Sequence, residues 1–247
     1  MECMLWYYHP LFLGIIAYMG MPSISFHFNK ALDKEISLVF LNDKNVKAGY
    51  DFVALITNMH PELKHFYEIP LECRKEYLDD YIELYYTKHK KELLAAKKDF
   101  EKIWGSVEPQ FFKVTAKYFN DLVWPKGKYR CNISIFPIGP RFLETCEFQT
   151  CYTWYKNLKG QIIHEMLHFQ FYNLITLLGL NKTNDSEIIW ELSEVFNNII
   201  QQELDYVKIQ GYKTGISYPD LEEKYNKYKK IWQKYKDASN FISKILN

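Results

Sequence analysis

The sequence predicts an α+β fold that is predominantly helical, and three features carry that reading. Apolar residues recur at helical spacing through long stretches of the chain; the segments 129–139 and 147–155 are rich in β-preferring residues; and two strongly apolar helices follow, split by a polar loop. With 247 residues and 48% hydrophobic content, the chain can bury a sizeable core and is read as a single domain over 1–247. Its parts are a mainly helical 1–128, a core over 129–203, and a loop with a C-terminal helix over 204–247.

Taken in order, "SISFHF" at 23–28 suits a strand. From about Lys30 to Phe119 helical periodicity is mixed with charge. The run 74–104 places Tyr77, Tyr81, Leu84 and Tyr85 on one face, and Leu93, Leu94, Phe100 and Ile103 further on, with its Lys and Glu residues on a solvated face. Pro61, Pro70, Pro109 and Pro125 cut this half into shorter pieces. "YRCNISIFPIG" alternates Asn132 and Ser134 against Ile133 and Ile135, and "EFQTCYTWY" follows; two short strands joined through the Pro137–Pro140 turn account for both. An apolar helix over about Lys159–Leu178 leads through "GLNKTNDS" to a second over about Glu187–Glu203. After the loop "GYKTGISYPD", helical spacing resumes through Leu221, Tyr225, Tyr228, Ile231 and Trp232.

Net charge is +1, so the overall balance does not point to nucleic acid or another polyanion, and no glycine-rich phosphate loop occurs. Cys3, Cys73, Cys131, Cys146 and Cys151 are odd in number and scattered, which fits reduced thiols in a cytoplasmic protein. The apolar "LFLGIIAYMGM" is too short to span a bilayer and follows no basic region, so it reads as a buried segment without membrane insertion.

One stretch announces a chemistry. In "IIHEMLHFQ", His164 and His168 lie one helical turn apart and can present imidazole nitrogens to one ion, while Glu165 lies about 100° round the helix, beside the water such an ion would activate. Zinc lowers the pKa of that water, and the carboxylate takes its proton as it attacks a carbonyl. A chance match arises on the order of once in a hundred such sequences. Against chance stand Ile162, Ile163, Met166, Leu167, Phe169, Phe171 and Leu174, which make the helix apolar nearly all round. Two histidines and a glutamate buried there are costly unless something satisfies them.

The stretch resembles the active-site helix of the zincin metallopeptidases, over roughly Tyr129 to Glu203, and the two candidate strands suit the edge strand that lines a zincin substrate cleft. The resemblance implies a zincin-like core, a Zn2+ cofactor and a peptide or protein substrate. Phe171 and Leu174 stand where a metzincin has Gly and His, and no histidine follows His168. The resemblance is therefore to the glutamate-type zincins, whose third ligand is a downstream carboxylate. Glu187, Glu191 and Glu194 share one stripe of the second apolar helix with Asn198. Glu187 sits in the first turn, where a capping pair with Asn184 accounts for it. Glu194 lies deeper, and "SEVFNN" resembles the "NExxxD" segment of thermolysin-like enzymes, with Ser193 and Asn198 in the flanking places. That makes Glu194 the favoured ligand, Glu191 the runner-up, and Asn198 the side chain expected to hydrogen-bond a ligating histidine, with Asn in place of Asp.

Tyr206, Tyr212 and Tyr218 lie near the later loop, but among 20 tyrosines none is singled out for oxyanion support. His27, His60, His65 and His89 are isolated and suit ordinary structural roles; Cys146 and Cys151 are a weak second metal pair; Arg141 suits a salt bridge better than a substrate carboxylate. Two rival readings stand beside the zinc peptidase: a zinc-binding interaction module of zincin-like fold, and a metal-free helical protein with hydrogen-bonded core histidines.

Overall fold

The computed structural model describes residues 22–42, 46–47, 49–180 and 186–246. The apolar segment 11–21, Cys3 and Asn184 lie outside them. The chain runs β1 (Ile24–His27), α1 (Lys30–Asn42), β2 (Val46–Lys47), β3 (Tyr50–Asp51), α2 (Phe52–Met59), α3 (Arg74–Lys88), α4 (Lys90–Gly105), α5 (Glu108–Tyr118), β4 (Tyr129–Ser134), β5 (Arg141–Phe142), β6 (Glu147–Cys151), α6 (Leu158–Leu177), α7 (Ser186–Ile200), α8 (Leu204–Gln210), α9 (Glu222–Tyr235) and α10 (Ala238–Leu246). It is α+β and mostly helical, as the sequence predicts. Among the described residues no helix is long and apolar enough to cross a membrane, and Cys73, Cys131, Cys146 and Cys151 are free thiols.

Several elements depart from the sequence expectation in instructive ways. β4 and β6 pair in parallel, Arg130 opposite Glu147 and Ser134 opposite Cys151, in a sheet of order β1-β4-β6-β5. Parallel neighbours need a crossover, and residues 135–146 supply it, with β5 returning antiparallel against β6 inside that connection. Because β4 is a central strand covered on both faces, Asn132 and Ser134 are buried along with Ile133, and the expected in-out alternation is absent. Asn132 is satisfied by donating to Glu147 Oε2 at 2.9 Å.

The buried stripe of α3 is Leu78, Ile82 and Tyr86, one position round from the face expected; Tyr77 and Leu84 are exposed. In α4 the buried set is Leu93, Ala96, Phe100 and Trp104, and Leu94 is exposed. The C-terminal helix is two helices: Lys236 adopts a left-handed conformation and Asp237 Oδ1 accepts from Asn240 N at 2.7 Å, a local cap that restarts the helix. α8, unforeseen between two glutamines and a glycine, starts at Leu204 after α7 ends at Ile200.

Two hydrophobic clusters form the interior. The larger surrounds α6 and joins it to the sheet, α7 and the C-terminal helices; the smaller joins α1 to α4 with Ile135, Phe136 and Ile138 of the crossover; Phe28 and Tyr152 pack against both. Buried polar groups hold that crossover. Asp33 Oδ2 accepts from Ile135 N at 3.2 Å and from the Tyr86 hydroxyl at 2.7 Å, and Oδ1 accepts from Gln149 Nε2 at 2.8 Å. At the carbonyl of the same residue, His60 Nε2 donates to Ile135 O at 2.9 Å, so His60 Nδ1 accepts from the Tyr81 hydroxyl at 2.7 Å. His60 is thus a satisfied core histidine.

Burial pushes Asp33 up from 3.8 to about 6, against the hydrogen bonds that favour its charge. The folded chain therefore holds this proton to higher pH than the unfolded chain. The stability it contributes is complete below about pH 4 and is lost, by about 3 kcal/mol, as the pH rises through about 6. Urea unfolding across pH 4 to 7.5 is expected to show this slope in the wild type and a flatter one in Asp33→Asn; equal slopes would show that Asp33 titrates alike in both states.

Candidate metal centre

α6 is apolar round most of its circumference, with Ile162, Ile163, Met166, Leu167 and Phe171 buried, and it carries the "HEMLH" residues into the interior. α7 packs beside it and brings Glu194, itself buried, opposite the histidines. His164 Nε2 lies 3.0 Å from Glu194 Oε2, His168 Nε2 lies 3.1 Å from His164 Nε2, and His168 Nε2 lies 3.5 Å from Glu194 Oε1. His164, His168 and Glu194 form a group that could hold a metal ion, and among the described residues it is the one such group. Ligand atoms about 2.0–2.1 Å from a tetrahedral ion stand about 3.3 Å apart, close to the separations between the two imidazole nitrogens and between each of them and its nearer Glu194 oxygen.

The other candidate carboxylates point elsewhere. Glu191 is ion-paired with Lys224 of α9, and Glu187 is exposed in the first turn of α7. The runner-up Glu191 is therefore not in the cluster: it is three residues before Glu194, on the side of the helix that faces α9.

Asn198 also departs from expectation. Its Nδ2 turns back to its own helix and donates to Glu194 O at 2.8 Å, while Oδ1 accepts from Ser217 N and Oγ, both at 3.1 Å. It reaches neither histidine. The partner of His164 Nδ1 is Gln201 Oε1, at 3.1 Å. Gln201 Nε2 donates to Gly160 O at 2.8 Å and to Gln210 Oε1 at 3.3 Å, and Gln210 Nε2 in turn donates to Gln201 O and Tyr212 O. Carbonyls only accept, so both amides are oriented and Gln201 Oε1 must receive the Nδ1 proton of His164. Nε2 is then the nitrogen that carries the cluster-facing proton in the charged ring and that is free to ligate an ion in the neutral one, as metal ligation requires. Gln201 stands seven residues after Glu194, two turns along one face, which is the signal by which the sequence could have shown it. Asn197 Nδ2 adds a bond to His164 O at 2.9 Å.

Arg141, on the edge strand β5, donates from Nη1 to Glu194 Oε1 at 3.0 Å and lies over the ring of Tyr172. The sequence reading of Arg141 as a salt-bridge residue agrees; its partner was not foreseen. Burial opposes the charge on Glu194, yet the histidines beside it hold its carboxyl well below the ordinary range. For His164 burial is outweighed by the Glu194 hydrogen bond and charge, and its pKa rises; for His168 burial and the Arg141 charge prevail, and it falls to about 3. Burial pushes Glu165 up to about 7, against the lowering pull of His164 and Arg141.

Glu165 and His164 line a cleft of about 660 Å³. Its walls include Pro137, Ile138 and Gly139 of the crossover, Trp154, and Tyr212 to Tyr218 of the late loop, with Tyr50, Phe52 and Leu55 at one side. A Cβ at Gly139 would crowd Gln149 O at 3.2 Å and stand at ordinary contact distance, 3.9 Å, from Glu165 Oε1, so glycine here eases the packing of this segment against β6. Gly160 likewise admits the Tyr212 ring, whose hydroxyl donates to Asn157 O at 3.0 Å. Tyr206 is buried and bonded to Thr115, whereas Tyr218 lines the cleft, its ring edge-on to Trp190 and Tyr50. Cys146 packs near Tyr129 and Cys151 near Thr153; neither enters the histidine cluster.

Searches of family models, curated proteins and solved structures find no match to this chain. What the centre can do is therefore argued from its own geometry. If Gln201 sets the His164 tautomer, Gln201→Leu should weaken zinc binding about 10- to 100-fold in a chelator competition, whereas Asn198→Ala should leave it within a few-fold. Equal effects of the two would remove that role from Gln201.

Proposed function

We propose that this chain is a zinc-dependent peptidase, with residues 129–203 forming a zincin-like core. The observation that carries the reading is the convergence of His164 Nε2, His168 Nε2 and a Glu194 carboxylate oxygen, within 4.8 Å of one another, next to a buried Glu165 in a cleft wall. The donor set, two imidazoles and one carboxylate from facing helices, suits zinc in a site with one position left for chemistry. A bound ion supplies a Lewis acid that lowers the pKa of water and polarises a carbonyl.

The chain's own residues supply the rest. Glu165, with a pKa pushed up to about 7, is matched to taking a proton from water and passing it to a leaving amine near neutral pH. Tyr218 lines the same cleft, and its hydroxyl is our candidate to hydrogen-bond an oxygen on which charge develops. The Pro137–Gly139 segment forms a cleft wall along which a peptide can lie.

Glu165→Gln removes the proton acceptor and no ligand. It should retain about one zinc per chain by mass spectrometry while lowering peptide hydrolysis at least about 100-fold. Wild-type turnover in that variant would overturn the mechanism, and a wild-type chain that takes up no zinc would return the cluster to hydrogen-bonded core residues.

A further inference from the structure

Taking the metal-site reading above as its basis, we propose that Arg141 makes Glu194 a one-oxygen ligand and so keeps a coordination position open. The two oxygens of Glu194 are not equivalent. Oε1 receives the Arg141 Nη1 hydrogen bond at 3.0 Å and lies 3.5 Å from His168 Nε2, while Oε2 carries no guanidinium and faces His164 Nε2 at 3.0 Å. The ion pair is secluded: the side chains of Arg141 and Glu194 are 15% and 2% exposed. A carboxylate oxygen that already takes a charge-assisted hydrogen bond from a buried cation is a poorer donor to a second cation. Oε2, with no guanidinium on it, is the oxygen left for an ion.

The guanidinium stays charged at every accessible pH, so it cannot step aside by losing a proton. Its place is also fixed from outside the cluster. β5 is hydrogen-bonded to β6 with Arg141 opposite Phe148, and the guanidinium lies 5.7 Å from the centre of the Tyr172 ring. Were both oxygens of Glu194 to bind, two imidazoles and a two-oxygen carboxylate would take the four tetrahedral positions, and a water could join only as a fifth ligand. With one oxygen engaged, three protein atoms bind and the fourth place is free.

This role and a scaffolding role differ in sign. An arginine that merely holds Glu194 in position strengthens metal binding, so its loss loosens it. An arginine that occupies Oε1 and adds positive charge beside the ion weakens binding, so its loss tightens it.

Cobalt(II) substitution reads both quantities, because four-coordinate cobalt absorbs visible light far more strongly than five-coordinate cobalt. The wild-type cobalt protein is expected to give the intense four-coordinate spectrum. Arg141→Gln should give the weaker five-coordinate one and bind the ion at least about tenfold tighter in a chelator competition. Arg141→Lys, which keeps the charge, should return both toward wild type. A five-coordinate wild-type spectrum overturns the proposal without any variant, as does Arg141→Gln that binds more weakly with an unchanged spectrum. Should Arg141→Gln fail to fold, the wild-type spectrum alone decides. A chain that takes up no cobalt overturns the metal-site reading and this one together. Bound four-coordinate metal without peptide hydrolysis sinks the peptidase reading and leaves this one standing.

Discussion

A carboxylate buried between two apolar helices is the constraint on which the rest of this molecule turns. Glu194 is surrounded by Leu192, Val195 and Phe196 of its own helix and by α6, and an unpaired charge there would cost several kcal/mol. It is kept ionised by nitrogen on every side that matters: His164, His168 and Arg141. These partners come from α6, α7's neighbour in the core, and from β5 at the sheet edge, so the ion cluster ties sheet to helices. Replacing one partner alone leaves the others miscompensated, which makes the cluster a cooperative unit.

The crossover between β4 and β6 is the second structural support, and it serves the first. Ile135 is gripped through its N–H by Asp33 and through its carbonyl by His60, one group from α1 and one from the end of α2. The next residues, Phe136 and Ile138, are buried in the smaller cluster, and then Gly139 passes Glu165 and Arg141 reaches Glu194. A polar clamp on one residue thus sets where the cleft wall lies and where the guanidinium enters the cluster. The N-terminal half, which carries no candidate catalytic residue, supports the centre through this connection and lines the cleft with Tyr50, Phe52 and Leu55.

How much of this was legible in the sequence depends on whether a feature is local. The "HEMLH" helix announces itself because a charged triplet inside a continuous apolar run has few innocent explanations, and Glu194 was separable from Glu187 by its depth in α7. Asn198 was the wrong polar neighbour because an asparagine four residues on can satisfy itself on its own helix, whereas the longer Gln201 spans to α6. Arg141 was readable as an ion-pair residue, but its partner 53 positions away is a fact of tertiary packing. Parallel pairing of β4 with β6 escaped for the same reason: a short connection rich in Pro and Gly looks like a hairpin turn until the hidden strand β5 is seen inside it. The buried face of α3 was missed by one residue because Tyr and Leu occur on several faces there, and only the neighbouring α1 decides which is covered.

The same interior that holds Glu194 charged leaves Glu165 close to neutral pH, and the contrast is a matter of partners. Both carboxylates pay the desolvation cost of burial, but Glu194 has two imidazoles and a guanidinium within hydrogen-bond reach. Glu165 has only the more distant pull of His164 and Arg141, and its Oε2 finds no hydrogen-bond partner among the described residues. Burial prevails for one and pairing for the other. Two carboxylates in one apolar setting are thereby driven apart in basicity, one fitted to hold a cation and the other to exchange a proton, and a division of labour of that kind is what metal-assisted hydrolysis asks of a site.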